Sequence, residues 1–101
     1  MDPEGYPDEV ELETIKCWPI TLKVEPKYKE YHDLMYYIAH RWRYADGYWK
    51  RHGNTYSIST GGWSGNEDMI GALHQNHLFW SLFWYSSDRG GHHVFCPPGG
   101  E

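Results

Sequence analysis

The chain has 101 residues, 18 of them Trp, Tyr or Phe, and 14 acidic against 9 basic side chains give a formal charge of −5. That length supports one domain rather than two, and so many large rings argue against disorder throughout. The longest apolar stretch, Leu78-Phe79-Trp80-Ser81-Leu82-Phe83-Trp84-Tyr85, is too short to span a membrane, and the acidic opening leads into no apolar segment of the kind a secretory signal needs.

Residues 1–8, with Pro3, Gly5 and Pro7, read as a flexible acidic arm ahead of a single domain over residues 9–96. Residues 1–13 carry six acids and no base. They suit either a solvated terminus or an imitation of nucleic-acid phosphates offered to a basic partner. Residues 10–16 read as a short helix carrying Leu12 and Ile15 inward, although the alternation of Val10, Leu12 and Thr14 with acids also fits a strand. Cys17 and Cys96 suit buried free thiols, with a bridge between them left open.

Pro26 opens the clearest helix, since its missing N–H is not needed in a first turn. Tyr31, Leu34, Met35, Ile38 and Trp42 follow at helical spacing, and Asp46-Gly47 is expected to end it. Residues 48–51 and 55–60 read as two strands joined at His52-Gly53-Asn54, with Tyr56, Ile58 and Thr60 on one face. A second helix is expected over residues 66–75, with Ser64 and Glu67 forming an S-x-x-E capping box. Residues 78–86 are apolar at both alternating sets of positions. They read as a central strand covered on both sides and paired with residues 92–96, after a turn at Ser87-Asp88-Arg89-Gly90-Gly91. Residues 97–101 make a Pro/Gly tail. The expected fold is α+β: a small, mainly antiparallel sheet with two to three helices packed on it.

The distinctive segment is Ser59-Thr60-Gly61-Gly62-Trp63-Ser64-Gly65-Asn66-Glu67, followed by a helix, Phe79-Trp80 and Arg89-Gly90-Gly91-His92. Residues 55–95 resemble a family of small, mostly uncharacterised bacteriophage proteins through this nine-residue loop and the R-G-G-H turn. The resemblance implies a phage or prophage origin and action in the host bacterial cytoplasm, and it implies no reaction.

Physically, the glycines permit close approach to backbone amides at a helix start, which attract anions. Trp63 offers a stacking ring, and Arg89 and His92 offer phosphate contacts. Thr60, Gly61, Gly62, Trp63, Ser64, Gly65, Asn66, Arg89 and His92 are therefore the candidate ligand- or partner-binding residues. Against a phosphate stand the missing P-loop lysine and the acids Glu67 and Asp68. The competing reading is a structural corner in which the glycines bend the chain, Ser64 and Glu67 cap, and Trp63 packs.

No metal site is expected, because His74 and His77 at i and i+3 and the adjacent His92 and His93 match no ligand motif. Ser64 and His92 can be drawn as a nucleophile and base, although capping explains Ser64 without it, and the adjacent acids Glu67 and Asp68 diverge too far on a helix to serve as a glycosidase-like pair. No cofactor is expected. The favoured reading is a non-enzymatic phage accessory protein that binds and inhibits a host factor, with an anti-defence, anti-CRISPR-like role. The alternatives are a nucleotide-signal sponge using the loop and a virion or morphogenesis component. Neither membrane nor direct nucleic-acid binding is expected, and a homodimer is compatible with the two-faced apolar strand.

Overall fold

The computed structural model describes residues 5–20 and 28–97. In chain order the elements are α1 (Glu9–Lys16), α2 (Lys29–Ala39), α3 (Ala45–Tyr48), β1 (Trp49–His52), β2 (Thr55–Ser59), α4 (Ser64–Gln75), α5 (His77–Phe83), β3 (Trp84–Asp88) and β4 (His92–Phe95). The strands form one antiparallel sheet in the order β1-β2-β4-β3. The fold is α+β, as the sequence predicts, with five helices rather than two or three among the described residues. None of the helices is long and apolar enough to cross a membrane.

The segment 10–16 is helical, and its start explains why. Asp8 accepts the Glu11 N–H at 2.8 Å, while the Glu11 carboxylate accepts the Asp8 N–H at 3.0 Å. This reciprocal D-x-x-E box satisfies two amides that a helix start leaves unpaired. Residues 5–8, expected as part of an arm, lie against the domain: Pro7 is buried and Tyr6 packs on Trp63. Residues 1–4 and 98–101, the rest of the expected arm and most of the expected tail, lie outside the described residues. Glu11 also pairs with Arg41 across 2.7 Å, fixing α1 to the end of α2. Cys17 caps the C-terminal end of α1 and is exposed rather than buried, its thiol donating to Glu13 at 3.2 Å; Cys96 is buried, and no disulfide joins the two.

Tyr31, Leu34, Met35 and Ile38 form the buried stripe of α2, as their spacing predicts. The predicted start at Pro26 lies outside the described residues. The expected continuation to Asp46-Gly47 does not occur, because three contacts turn the chain aside. The Trp42 indole N–H donates to the Ser59 carbonyl at 2.9 Å, and the Asn66 side chain holds both the N–H and the C=O of Arg43. Tyr44 then adopts φ 64°, and Asp46 and Gly47 fall inside the short α3.

The largest correction concerns residues 78–86. They are not a central strand: residues through Phe83 form α5, and Trp84 opens β3 at the sheet edge. The physical reason is a cap and a period. Asn76 Oδ1 accepts the Phe79 N–H at 3.2 Å and starts the helix, and Phe79 and Phe83, one helical turn apart, are both fully buried. The centre of the sheet is instead β2 and β4, where Tyr56, Ile58 and Phe95 face the helices. The β1–β2 hairpin matches expectation, with Gly53 supplying the left-handed turn residue at φ 64°.

Next to the buried Tyr31, His32 ties α2 to this hairpin. Its Nε2–H donates to Asn54 Oδ1 at 2.9 Å, and its Nδ1 accepts the Tyr56 hydroxyl at 2.7 Å. Burial and the charge of Arg51 hold the His32 imidazole below its ordinary value of 6.5, against Asn54 and Asp33, which favour the charged form. Burial and the neighbouring His92 lower His93 likewise, with Glu67 opposing them. An unfolded chain therefore binds more protons than the folded one as pH falls below 6.5. We expect the urea midpoint to fall through that window until the lowered folded values are passed. His32→Gln should flatten the slope, leaving the His93 share; an unchanged slope in that variant would refute the coupling.

Candidate functional site

Between β2 and α4 the chain makes a tight corner whose side chains are largely spent on one another. Asn66 is completely buried. Its Oδ1 accepts the Arg43 N–H at 3.0 Å, and its Nδ2 donates to the carbonyls of Arg43 (3.1 Å) and Thr60 (3.2 Å). Thr60 is also buried. Its N–H donates to the Gly91 carbonyl at 2.9 Å, and its hydroxyl accepts the Gly62 N–H at 3.3 Å and reaches Glu67 at 3.4 Å.

The glycines have steric reasons. A Cβ on Gly65 would strike the Trp63 ring, and one on Gly91, already at φ +85°, would strike the Thr60 hydroxyl. Thus the R-G-G-H turn and the loop interlock through Thr60 and Gly91.

The predicted capping box at Ser64 and Glu67 does not form. Ser64 is the first residue inside α4, Trp63 stands at the cap with no side-chain bond, and the Glu67 N–H is taken by the Trp63 carbonyl at 3.1 Å. With the helix starting one residue earlier than the box requires, the Glu67 carboxylate turns to Thr60 instead.

Trp63 does not stand open to a ligand. The Tyr6 ring lies 4.8 Å from it, and the Arg43 guanidinium lies 4.9 Å from its centroid. Its indole Nε1 is buried and has no hydrogen-bond partner among the described residues, the kind of orphaned donor that usually has a physical explanation. Ser64, Gly61 and Gly62 are exposed. Arg89 is exposed, and no hydrogen bond or ion pair joins it to the loop among the described residues. His92 shares a 2.8 Å hydrogen bond with Ser59, not Ser64, through its Nδ1. Asp88 is the cross-strand partner of His92, so Ser59, His92 and Asp88 make one row across three strands. No ion pair orients His92 from Asp88 among the described residues, so the row lacks the third member a triad requires. His74 and His77 stand on different helices, and His74 packs on Trp80 at 4.7 Å.

The corner does support a surface that the sequence reading missed. Arg43 sits between two rings, 4.9 Å from Trp63 and 5.4 Å from Tyr44. Tyr44 meets Tyr48 edge to face at 6.1 Å, and the Tyr48 ring lies against Gly61. Tyr44 is 59% and Tyr48 40% exposed, and the two border an open cleft of about 600 Å³. The signal was the pair of tyrosines four residues apart around Ala45-Asp46-Gly47, masked by the expectation that the helix stopped there. A second groove of about 520 Å³ runs between α1 and α4, lined by Glu9, Glu13, Glu67 and Asp68, with Lys16 paired to Glu13 and with Leu12 and Ala72. No family model matches the chain, and neither a curated protein nor a solved structure does.

Proposed function

We propose that this chain is a non-enzymatic bacteriophage accessory protein that acts in the host bacterial cytoplasm by binding and blocking a host protein, a defence effector of the CRISPR–Cas kind being the favoured partner. The phage origin rests on the motif resemblance of residues 55–95. The observation that carries the binding role is the exposed Arg43, Tyr44 and Tyr48 cluster, braced from beneath by Trp63 and Gly61. Tyrosine and arginine are the side chains that most often dominate protein interfaces, since they bring large area at little cost in conformational freedom. The α1–α4 groove, where four acids outnumber the single Lys16, adds a net negative field suited to a basic partner surface.

The test is expression of the protein in hosts carrying a panel of defence systems, followed by phage plaquing and affinity capture from infected cells. The wild type should protect phage against at least one system. The double variant Tyr44→Ala/Tyr48→Ala should lose capture of that system's component by roughly 30-fold, as two interface anchors of about 1 kcal/mol each predict. No protection across the panel, or full protection by the double variant, would sink this reading.

A second reading, a nucleotide-signal sponge, draws on the buried Trp63 Nε1, which has no acceptor among the described residues. It requires the Tyr6 ring to leave Trp63. Calorimetry with cyclic nucleotides and ADP-ribose derivatives separates the two: heat that Trp63→Phe abolishes favours the sponge.

A further inference from the structure

The cleft beside α3 has walls of one electrostatic sign. It is lined by Tyr44, Ala45, Asp46, Gly47 and Tyr48. The Tyr44 and Tyr48 rings meet at 86°, so they stand as two perpendicular walls. Each ring also has a neighbour that does not line the cleft: the Arg43 guanidinium lies 5.4 Å from the Tyr44 centroid, and Gly61 lies against the Tyr48 ring. The turn between the rings is closed by the N–H groups of Gly47 and Tyr48, which donate to the Tyr44 carbonyl at 3.1 and 3.0 Å. A Cβ at Gly47 would meet nothing within 4 Å, so the space over it is open. Asp46 is exposed, and no ion pair or hydrogen bond engages its carboxylate among the described residues.

The sign of these groups selects the occupant. The face of an aromatic ring carries the negative part of its quadrupole, and Asp46 carries a full negative charge. An anion is repelled by both rings and by the carboxylate. A neutral apolar group would cover the carboxylate and give it no partner. A cation satisfies the rings and the carboxylate together. Among cations a guanidinium fits better than an ammonium: it is planar, stacks on ring faces, is more weakly hydrated and presents forked donors to a carboxylate. The molecule already makes this contact once, where Arg43 lies over Tyr44 and Trp63.

We propose that the cleft formed by Tyr44, Asp46 and Tyr48 is a receptor for one arginine side chain of a partner protein, its guanidinium held against the two rings and paired with Asp46. The inference rests on the reading of this cluster as the binding surface and adds the chemistry of the residue it captures. The rings supply contact area, and Asp46 supplies the discrimination by charge.

Amide NMR spectra of the full chain, titrated with N-acetyl-arginine amide, test it, with N-acetyl-citrulline amide as the neutral isostere. The arginine probe should shift the amide signals of Asp46, Gly47 and Tyr48 saturably in the millimolar range, as two exposed ring contacts and one exposed ion pair predict. The citrulline probe should give no saturable shift. Asp46→Asn, at an exposed position, should keep the rest of the spectrum and weaken the arginine probe about 5-fold. Tyr48→Phe should bind as the wild type does, because the ring and not the hydroxyl holds the guanidinium, whereas Tyr48→Leu should lose about 5-fold. Absence of saturable shifts, equal binding of the citrulline probe, or undiminished binding by Asp46→Asn would overturn the proposal. The titration needs no host factor. A chain that binds the probe and protects no phage therefore removes only the host target, and one that protects phage without binding the probe removes only the captured arginine.

Discussion

Replacing Asn66 with Ala should cost about 3 kcal/mol of folding stability, because it strands the Arg43 amide and the Thr60 carbonyl in a buried corner at once. For a domain of this size that corresponds to a fall of roughly 15 °C in the melting midpoint. The contrast that makes the result informative is Ser64→Ala. A capping serine would cost about 1 kcal/mol when truncated. Ser64 is exposed and makes no capping bond, so its replacement should change stability by less than about 0.5 kcal/mol. Thermal and urea denaturation of both variants measure the pair. If Asn66→Ala is nearly neutral, the corner is not held as described. If Ser64→Ala is the costlier change, the helix begins where the sequence motif alone would start it.

Tyr31→Ala should be still more damaging, at about 4 kcal/mol. Tyr31 is fully buried and stacks on Phe83 with centroids 4.2 Å apart and planes 12° from parallel. It meets Tyr56 edge to face at 5.5 Å, and its hydroxyl donates toward the carbonyls of Asn54 (2.7 Å) and Phe95 (3.0 Å). One side chain thus joins α2 to α5, to the hairpin and to β4. Tyr31→Phe keeps the ring and removes the hydroxyl, so it should cost about 1–2 kcal/mol. With a total stability on the order of 5–15 kcal/mol for a small domain, the alanine variant should sit near the edge of folding and the phenylalanine variant well inside it. Equal losses in the two would assign the effect to the hydroxyl and remove the ring stack from the account.

These residues also show where sequence reading works and where it stops. The α2 stripe and the alternation of Tyr56 and Ile58 were legible because periodicity reports burial directly. The Asp8–Glu11 box was as visible in the sequence as the Ser64–Glu67 one, yet only the first forms. The difference is tertiary: Asn66 anchors the corner to Arg43, and the helix then starts at Ser64, one residue too early for Ser64 to cap it. Residues 78–86 misled because a helix followed at once by a strand leaves apolar residues at both parities. The deciding signal was Asn76, a good helix cap just upstream. In the candidate site, the glycine loop was legible as a bend. Its coupling to Tyr48 and Arg43 was not, because those contacts depend on how the chain leaves α2. The Tyr44–Tyr48 surface is a product of that departure.

The Asn76 side chain has a consequence for how the chain is made. Its amide donates to the carbonyls of Ile15 and Trp18 at 3.0 and 3.1 Å, at sequence separations of 61 and 58. The Tyr31 hydroxyl reaches Phe95 across a separation of 64. A chain leaving the ribosome therefore exposes α1 and α2 well before the residues that close over them. Ile15, Leu34, Met35 and Ile38 share one core with Tyr56, Met69, Leu73, Phe79 and Phe95, so that core closes in steps as the second half emerges and is complete only with Phe95. The first fifty residues thus hold only half of the core they pack into, and a break anywhere before β4 removes Phe95 from it.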